Sequence, residues 1–218
     1  MVEVQKHGFG FEAWIRQEIF EINVEENYGR KWDVGPDGAK RSLLPKTMHG
    51  LPVSIKTCGW GGPVNLSDAI RQMTIDEDFV MIVGFWDQVS PGEKNFTAIR
   101  AARFGVEDWK KLWRSYDLES VLSLDKAIKD MSITSEEAHE IADRWKAKNK
   151  PKDDLCLRIN PKIDSKKQRR IQCSLPFQAF WNHIEEVPKQ ALPQLFCGKL
   201  FPNPVKSAPR VLRKKSKD

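Results

Sequence analysis

Apolar positions change period several times along the chain, and each change marks an element. Over 10–22, Phe11, Trp14, Ile15, Ile19 and Ile22 fall at i, i+3, i+4, i+8 and i+11, one apolar stripe that predicts a helix. Glu12 borders the stripe beside Ile15 and Ile19, and Arg16 and Gln17 are expected to point away. A carboxylate so placed is either solvated at the rim or drawn into a site, because burying an unpaired charge is costly. The stretch 28–34 is a short strand candidate with Asp33 near its end. Over 53–58 the period falls to two, with Val53, Ile55 and Thr57 on one face and Ser54, Lys56 and Cys58 on the other. The intervening 35–50 carries turn chemistry (Gly35-Pro36, Asp37-Gly38, Pro45, Gly50) and is made basic by Lys40, Arg41 and Lys46. Such a loop is either solvated or laid along a phosphate backbone. A short helix is expected over 65–73. The unbroken apolar run 79–86 reads as a central strand covered on both faces. The next segment, 94–104, is assigned to neither helix nor strand.

The second half is more helical. Trp109, Leu112 and Trp113, then Leu118, Val121 and Leu122, keep helical spacing within 106–131, with a break expected at 115–117. Thr134 and Glu137 form a capping-box signature for a helix running to Lys148, stopped by Pro151. A β-hairpin is predicted over 155–175, where Leu155, Leu157, Ile159, Ile171, Cys173 and Leu175 alternate with polar residues around a turn at 164–168. Arg158, Asn160, Arg170, Gln172 and Ser174 make up its polar face, and Lys166, Lys167 and Arg169 lie at its tip. A short aromatic helix follows over 176–184. The segment from 188 is irregular, and 206–218, with six basic residues, is expected to be a disordered basic tail.

Composition narrows the classes. A chain of 218 residues with 40% apolar residues, eight Trp and eleven Phe can build a core, so a folded domain is expected. Lys and Arg outnumber Asp and Glu by 36 to 30, with a pI of about 9.1, a modest pointer to a polyanionic partner. The cysteines (Cys58, Cys156, Cys173, Cys197) are too far apart for a zinc knuckle or redox pair, so buried free thiols in a reducing compartment are expected. His7, His49, His139 and His183 show no ligand spacing, and no G-x-S-x-G, Walker A or G-x-G-x-x-G occurs. The N-terminal stretch lacks the apolar core of a signal peptide, and 79–86 is far short of the ~20 residues that span a bilayer. A soluble, cytoplasmic protein with no membrane contact is the expectation. Trp60, set between glycines, is either buried or free to stack on a base.

The chemistry concentrates in 31–71. An acid at the end of one strand, Asp33, and an ammonium delivered by the next, Lys56, are the pair that phosphodiester hydrolysis on a hard cation needs. Magnesium keeps several waters and is satisfied by one or two carboxylates. The order of elements over 8–86 resembles the core of the PD-(D/E)xK nuclease superfamily, the fold of many type II restriction endonucleases. That order is a helix with Glu12, a strand with Asp33, a strand with Lys56, a helix at 65–73 and a central strand. The resemblance implies an α/β fold with a restriction-endonuclease-like core, a central mixed sheet flanked by helices, and an added β-hairpin. The nuclease domain would cover 1–205, with a catalytic core about 8–104 and a helical, DNA-contacting part about 105–187.

By this resemblance the chain would be a Mg2+-dependent endonuclease of double-stranded DNA, a type II restriction enzyme acting as a homodimer beside a companion DNA methyltransferase. Asp33 and Lys56 would be catalytic. The family's second acid, two residues before the lysine, is here Ser54, left with a hydroxyl or backbone contact. Glu12, or else Asp37 or Asp68, would complete the metal shell with Asp33, and Asp37 also forms a literal Pro36-Asp37 pair. Arg158, Asn160, Lys166, Lys167, Arg169, Arg170 and Gln172 would contact DNA. A structure-selective repair nuclease, an RNA nuclease and a catalytically inactive nucleic-acid-binding protein are the alternatives, the last because of Ser54.

Overall fold

The structure, a computed structural model, describes residues 6–22, 31–164, 168–184 and 192–206. The chain divides into two compact units, one made of Met1–Gly62, Asp78–Arg103 and Ile184–Asp218, the other of Pro63–Glu77 and Phe104–His183. The stretch 63–77, expected inside the catalytic core, thus belongs to the second unit.

The first unit is a helix on a mixed four-stranded sheet. Strand β1 (Val53–Gly59) pairs in parallel with β3 (Phe79–Ser90), so that Ser54 faces Met81 and Lys56 faces Val83 across the ladder. A two-residue link, Pro91 and Gly92, folds β4 (Glu93–Phe104) back beside β3. The short β9 (Val205–Lys206) closes the far edge antiparallel to β4. The run 79–85 is buried at every position, as a central strand with both faces covered requires. Segment 94–104, unassigned from the sequence, is a strand because Phe96, Ala98 and Ala102 alternate towards the buried side.

Helix α1 (Lys6–Phe20) lays Phe11, Ile15 and Ile19 against Val53, Ile55, Val80, Ile82, Phe96 and Ile99. Burying each of those three side chains contributes about 2 kcal/mol, enough to fix which helix face meets the sheet. Phe11 stacks on Phe96 with centroids 5.0 Å apart, and Phe201 meets both rings edge-on. Arg16, expected on the solvent side, is instead buried at 2% exposure, a correction treated with the site below. Within the expected loop 35–50 a single helical turn, α2 (Pro36–Ala39), starts at Pro36, whose fixed φ suits a first helical position.

The second unit holds another sheet, ordered β2 (Val64–Asp68), β6 (Arg169–Leu175), β5 (Arg158–Ile163). The helix predicted over 65–73 is not there: β2 occupies its first half and α3 (Ala69–Met73) only the second. Val64 and Leu66 are buried while Asn65 and Ser67 are exposed, a period of two that pairing with β6 rewards. Asp68 then caps α3 by accepting the Arg71 N–H at 2.8 Å. The predicted break divides α4 (Val106–Leu112) from α5 (Leu118–Lys129), and α6 (Ser135–Lys148) opens with the capping box of Thr134 and Glu137. Helices α3, α5 and α6 pack on the β5–β6 pair, and α7 (Phe177–Trp181) ends this part. The two-residue strands β7 (Leu195–Phe196) and β8 (Lys199–Leu200) pair with one another in the first unit. Among the described residues no helix is long and apolar enough to cross a membrane. The expected basic tail from 207 on lies outside the described residues.

Gly84 shows how tightly the first unit is packed. A Cβ there would press into the Phe96 ring and lie 2.8 Å from Phe11. Gly84→Ala is expected to destabilise by about 1–3 kcal/mol through overpacking. A lower urea midpoint would show it, and an unchanged midpoint would contradict the packing described.

Candidate metal and hydrolytic site

Asp33 is held against β1 by its neighbour. Val34 exchanges both backbone hydrogen bonds with Val53, at 3.1 and 2.8 Å, in an isolated antiparallel bridge. That bridge is all that the described residues show of the strand predicted over 28–34, since 28–30 lie outside them. It suffices to aim the Asp33 carboxylate along β1. Asp33 Oδ2 accepts the Ile55 N–H at 2.6 Å, the Lys56 ammonium at 3.0 Å and, more weakly, the Ser54 hydroxyl at 3.4 Å. Lys56 Nζ also donates to the Ile55 carbonyl at 3.0 Å, so its position is set from two sides. Asp33 Oδ1 has no partner among the described residues. At 27% and 18% side-chain exposure, the aspartate and lysine are sheltered yet open to a ligand.

Glu12, on α1, joins this pair. Its carboxyl is pushed above the usual carboxylate range first by burial and then by the negative charge of Asp33, with Lys56 and Arg16 pulling the other way. A carboxyl whose ionisation is made costly by burial and by a neighbouring carboxylate gains from a cation. Arg16 is the nearest counter-charge on the helix, its Nη1 3.9 Å from Glu12 Oε1, while its Nε and Nη2 have no hydrogen-bond partner. A guanidinium buried at 2% exposure is only loosely paired here. The (i, i+4) spacing from Glu12 is the sequence signal for it, one that hydrophobic periodicity alone does not read.

The donor set fits a hard cation. Asp33 and Glu12 would offer carboxylate oxygens and Ile55 a carbonyl, and Mg2+ would complete its shell with water. Among the described residues no group of three or more His, Cys, Asp or Glu gathers, so a protein-saturated zinc site is not formed there. The two substitute acids stay out. Asp37 is 94% exposed and paired with Lys40 at 2.7 Å, and Asp68 serves the second unit as the cap of α3. His49 and His183 bond backbone carbonyls. Burial pushes the Cys58 thiol up to about 12, which makes it inert, and all four cysteines are free. Trp60, 49% exposed just past the end of β1, rests edge-on against Phe85.

The proposed DNA contacts divide three ways. Arg158, Asn160 and Arg170 are exposed on the β5–β6 pair, and Gln172 is half-buried between them. Arg169 is committed to holding the fold together, its guanidinium donating to the carbonyls of Ile128, Asp130 and Ile133 where α5 ends. Lys166 and Lys167 lie outside the described residues.

The raised Glu12 carboxyl sets a pH dependence. The folded chain holds the Glu12 proton to higher pH than the unfolded chain, whose carboxyl titrates near 4.5. Ionised Glu12 therefore costs stability, by nothing below that value and by the full amount once the pH passes the raised one. The stability of Glu12→Gln relative to wild type is expected to rise as the pH climbs from 4 to 8. Urea midpoints in a pH series measure it, and a pH-independent difference would contradict the assignment. Compared with known proteins, the chain matches no family model, no curated protein and no solved structure.

Proposed function

We propose that this chain is a Mg2+-dependent endonuclease hydrolysing phosphodiester bonds of double-stranded DNA, on a restriction-endonuclease-like core. The observation that carries the reading is the convergence of Asp33 and Lys56, 3.0 Å apart, with Glu12 electrostatically coupled to both. When bound, a divalent cation supplies Lewis-acid polarisation of the phosphate and lowers the pKa of a water. Asp33 and Glu12 would hold it. The Ile55 N–H and Ser54 hydroxyl fix the Asp33 carboxylate, and Lys56 presents a compact positive charge to the attacking water and to the charge that builds on phosphate oxygens. Ser54 occupies the position of the family's second acid, and Glu12 provides the second carboxylate from α1 instead. A homodimer, one site per DNA strand, and a methyltransferase that protects host DNA belong to the same reading.

A plasmid digest tests it. The chain with Mg2+ is expected to give discrete fragments, and with EDTA none. Asp33→Ala, Lys56→Ala and Glu12→Ala should each lower the rate by about 10²-fold or more, the scale of losing a metal ligand or a positioned charge. Cleavage that survives Asp33→Ala would sink the proposal, and cutting confined to RNA or junction substrates would move it to those substrates.

A further inference from the structure

The sheet of the second unit carries a polar face with an unusual charge arrangement. In the antiparallel register of β5 and β6, Arg158 stands opposite Ser174, Asn160 opposite Gln172 and Lys162 opposite Arg170. Directly opposed residues share a face, so these three rungs form one side of the ribbon. Ile159, Ile171 and Cys173 project to the other side and are buried where α5 and α6 pack. Arg169, on that covered side, ties the ribbon to the end of α5 through three backbone carbonyls. The ribbon is therefore anchored on one side, while on the other Arg158, Asn160, Lys162 and Arg170 are exposed, Gln172 is half-buried and Ser174 is buried.

Strand β2 pairs with β6 only at its Gln172–Leu175 end. The Lys162–Arg170 rung lies past that pairing, on the two-stranded part of the sheet, and both side chains are exposed. Like charges directly opposite one another are destabilising. Exposed Lys110, Lys111, Lys129 and Lys146 each have a carboxylate three or four residues away, and Arg158 has Asp154 at 3.2 Å. Lys162 and Arg170 have no such partner among the described residues, which is equally true of exposed Lys126, Lys148 and Lys150; what marks this pair is that its two cations stand directly opposite one another. Beside them the Asn160–Gln172 rung presents two carboxamides, the groups that hydrogen-bond adenine edges and sugar-phosphate oxygens. Asn160 is steadied by its own bond to Ser174 Oγ at 2.9 Å.

We propose that this polar face is a docking surface for duplex DNA, with Lys162 and Arg170 engaging backbone phosphates and the Asn160–Gln172 rung set against the neighbouring groove edge. Phosphate offsets the repulsion that the two cations suffer in the free protein. The proposal rests on DNA as the substrate but not on Glu12, Asp33 and Lys56 performing chemistry. It also changes the contact set, adding Lys162, which the hairpin pattern does not single out, and removing Arg169, which is committed to α5.

Fluorescence anisotropy of a labelled duplex tests it, with the full chain carrying Asp33→Asn, in EDTA, over a NaCl series. Lys162→Gln with Arg170→Gln is expected to weaken binding about tenfold and to flatten the log Kd against log salt slope by about 1.8, two phosphate contacts at about 0.9 each. The Tm should hold or rise, since a repulsion is removed. The charge-keeping exchange Lys162→Arg with Arg170→Lys should retain affinity, separating lost charge from a damaged fold. Affinity within twofold of the parent with an unchanged slope would overturn the proposal, as would a parent chain that shows no salt-dependent binding. An inert pair in a protein that still cleaves plasmid removes this surface and leaves the hydrolytic reading. A sensitive pair in a protein that never cleaves does the reverse.

Discussion

Everything in the site depends on one carboxylate being held at the edge of a sheet. The Val34–Val53 bridge is a single pair of backbone hydrogen bonds, yet it brings Asp33 alongside β1 so that the Ile55 N–H and the Lys56 ammonium converge on one oxygen. A backbone donor at 2.6 Å and an ammonium at 3.0 Å are both charge-assisted contacts, stronger than neutral ones. They orient the carboxylate without using its other oxygen. The supporting scaffold is rigid: Val53 and Ile55 are buried under Phe11, Ile15 and Ile19, so the strand that carries Lys56 and the helix that carries Glu12 are fixed by the same core. Packing and chemistry share residues, alternating along β1 with the period of the strand.

Charge is treated differently in the two units. The first unit gathers opposite charges into a half-buried cluster, where low solvent exposure strengthens each interaction and raises the cost of imbalance. Glu12 bears that cost, and Arg16 relieves little of it at 3.9 Å. The second unit keeps its charges at the surface. Four of its lysines, Lys110, Lys111, Lys129 and Lys146, are paired with carboxylates on their own helices, contacts of little energetic value individually. The Lys162–Arg170 rung differs from these in setting two like charges directly opposite one another.

Elements with a strong, unmixed period were legible from the sequence. The stripe of α1, the buried run of β3, the capping box of α6 and the alternation of β5 and β6 all match the structure to within a few residues. The approach of Lys56 to Asp33 was legible too, from an acid and a lysine carried on successive strand-like segments, whereas the sequence left Glu12 open between the solvated rim and a site. Segment 65–73 misleads because α3 is only five residues long, and Asp68, its cap, also ends the strand. Arg16 misleads for another reason. Hydrophobic periodicity assumes that an arginine faces water, and it does not read the (i, i+4) spacing from Glu12 that places a carboxylate 3.9 Å from the buried guanidinium. The duty of Arg169 is equally hidden, since it depends on where α5 ends rather than on any local pattern.

The central claim is that Glu12 and Asp33 jointly hold a hard divalent cation beside Lys56. Calorimetric titration of the intact chain with Mn2+, which takes the same oxygen ligands as Mg2+, tests it most directly. Wild type is expected to bind, and both Glu12→Gln and Asp33→Asn to bind more weakly by at least about tenfold, with folding retained. Equal Mn2+ affinity in wild type and both variants would contradict it, as would the absence of binding at neutral pH.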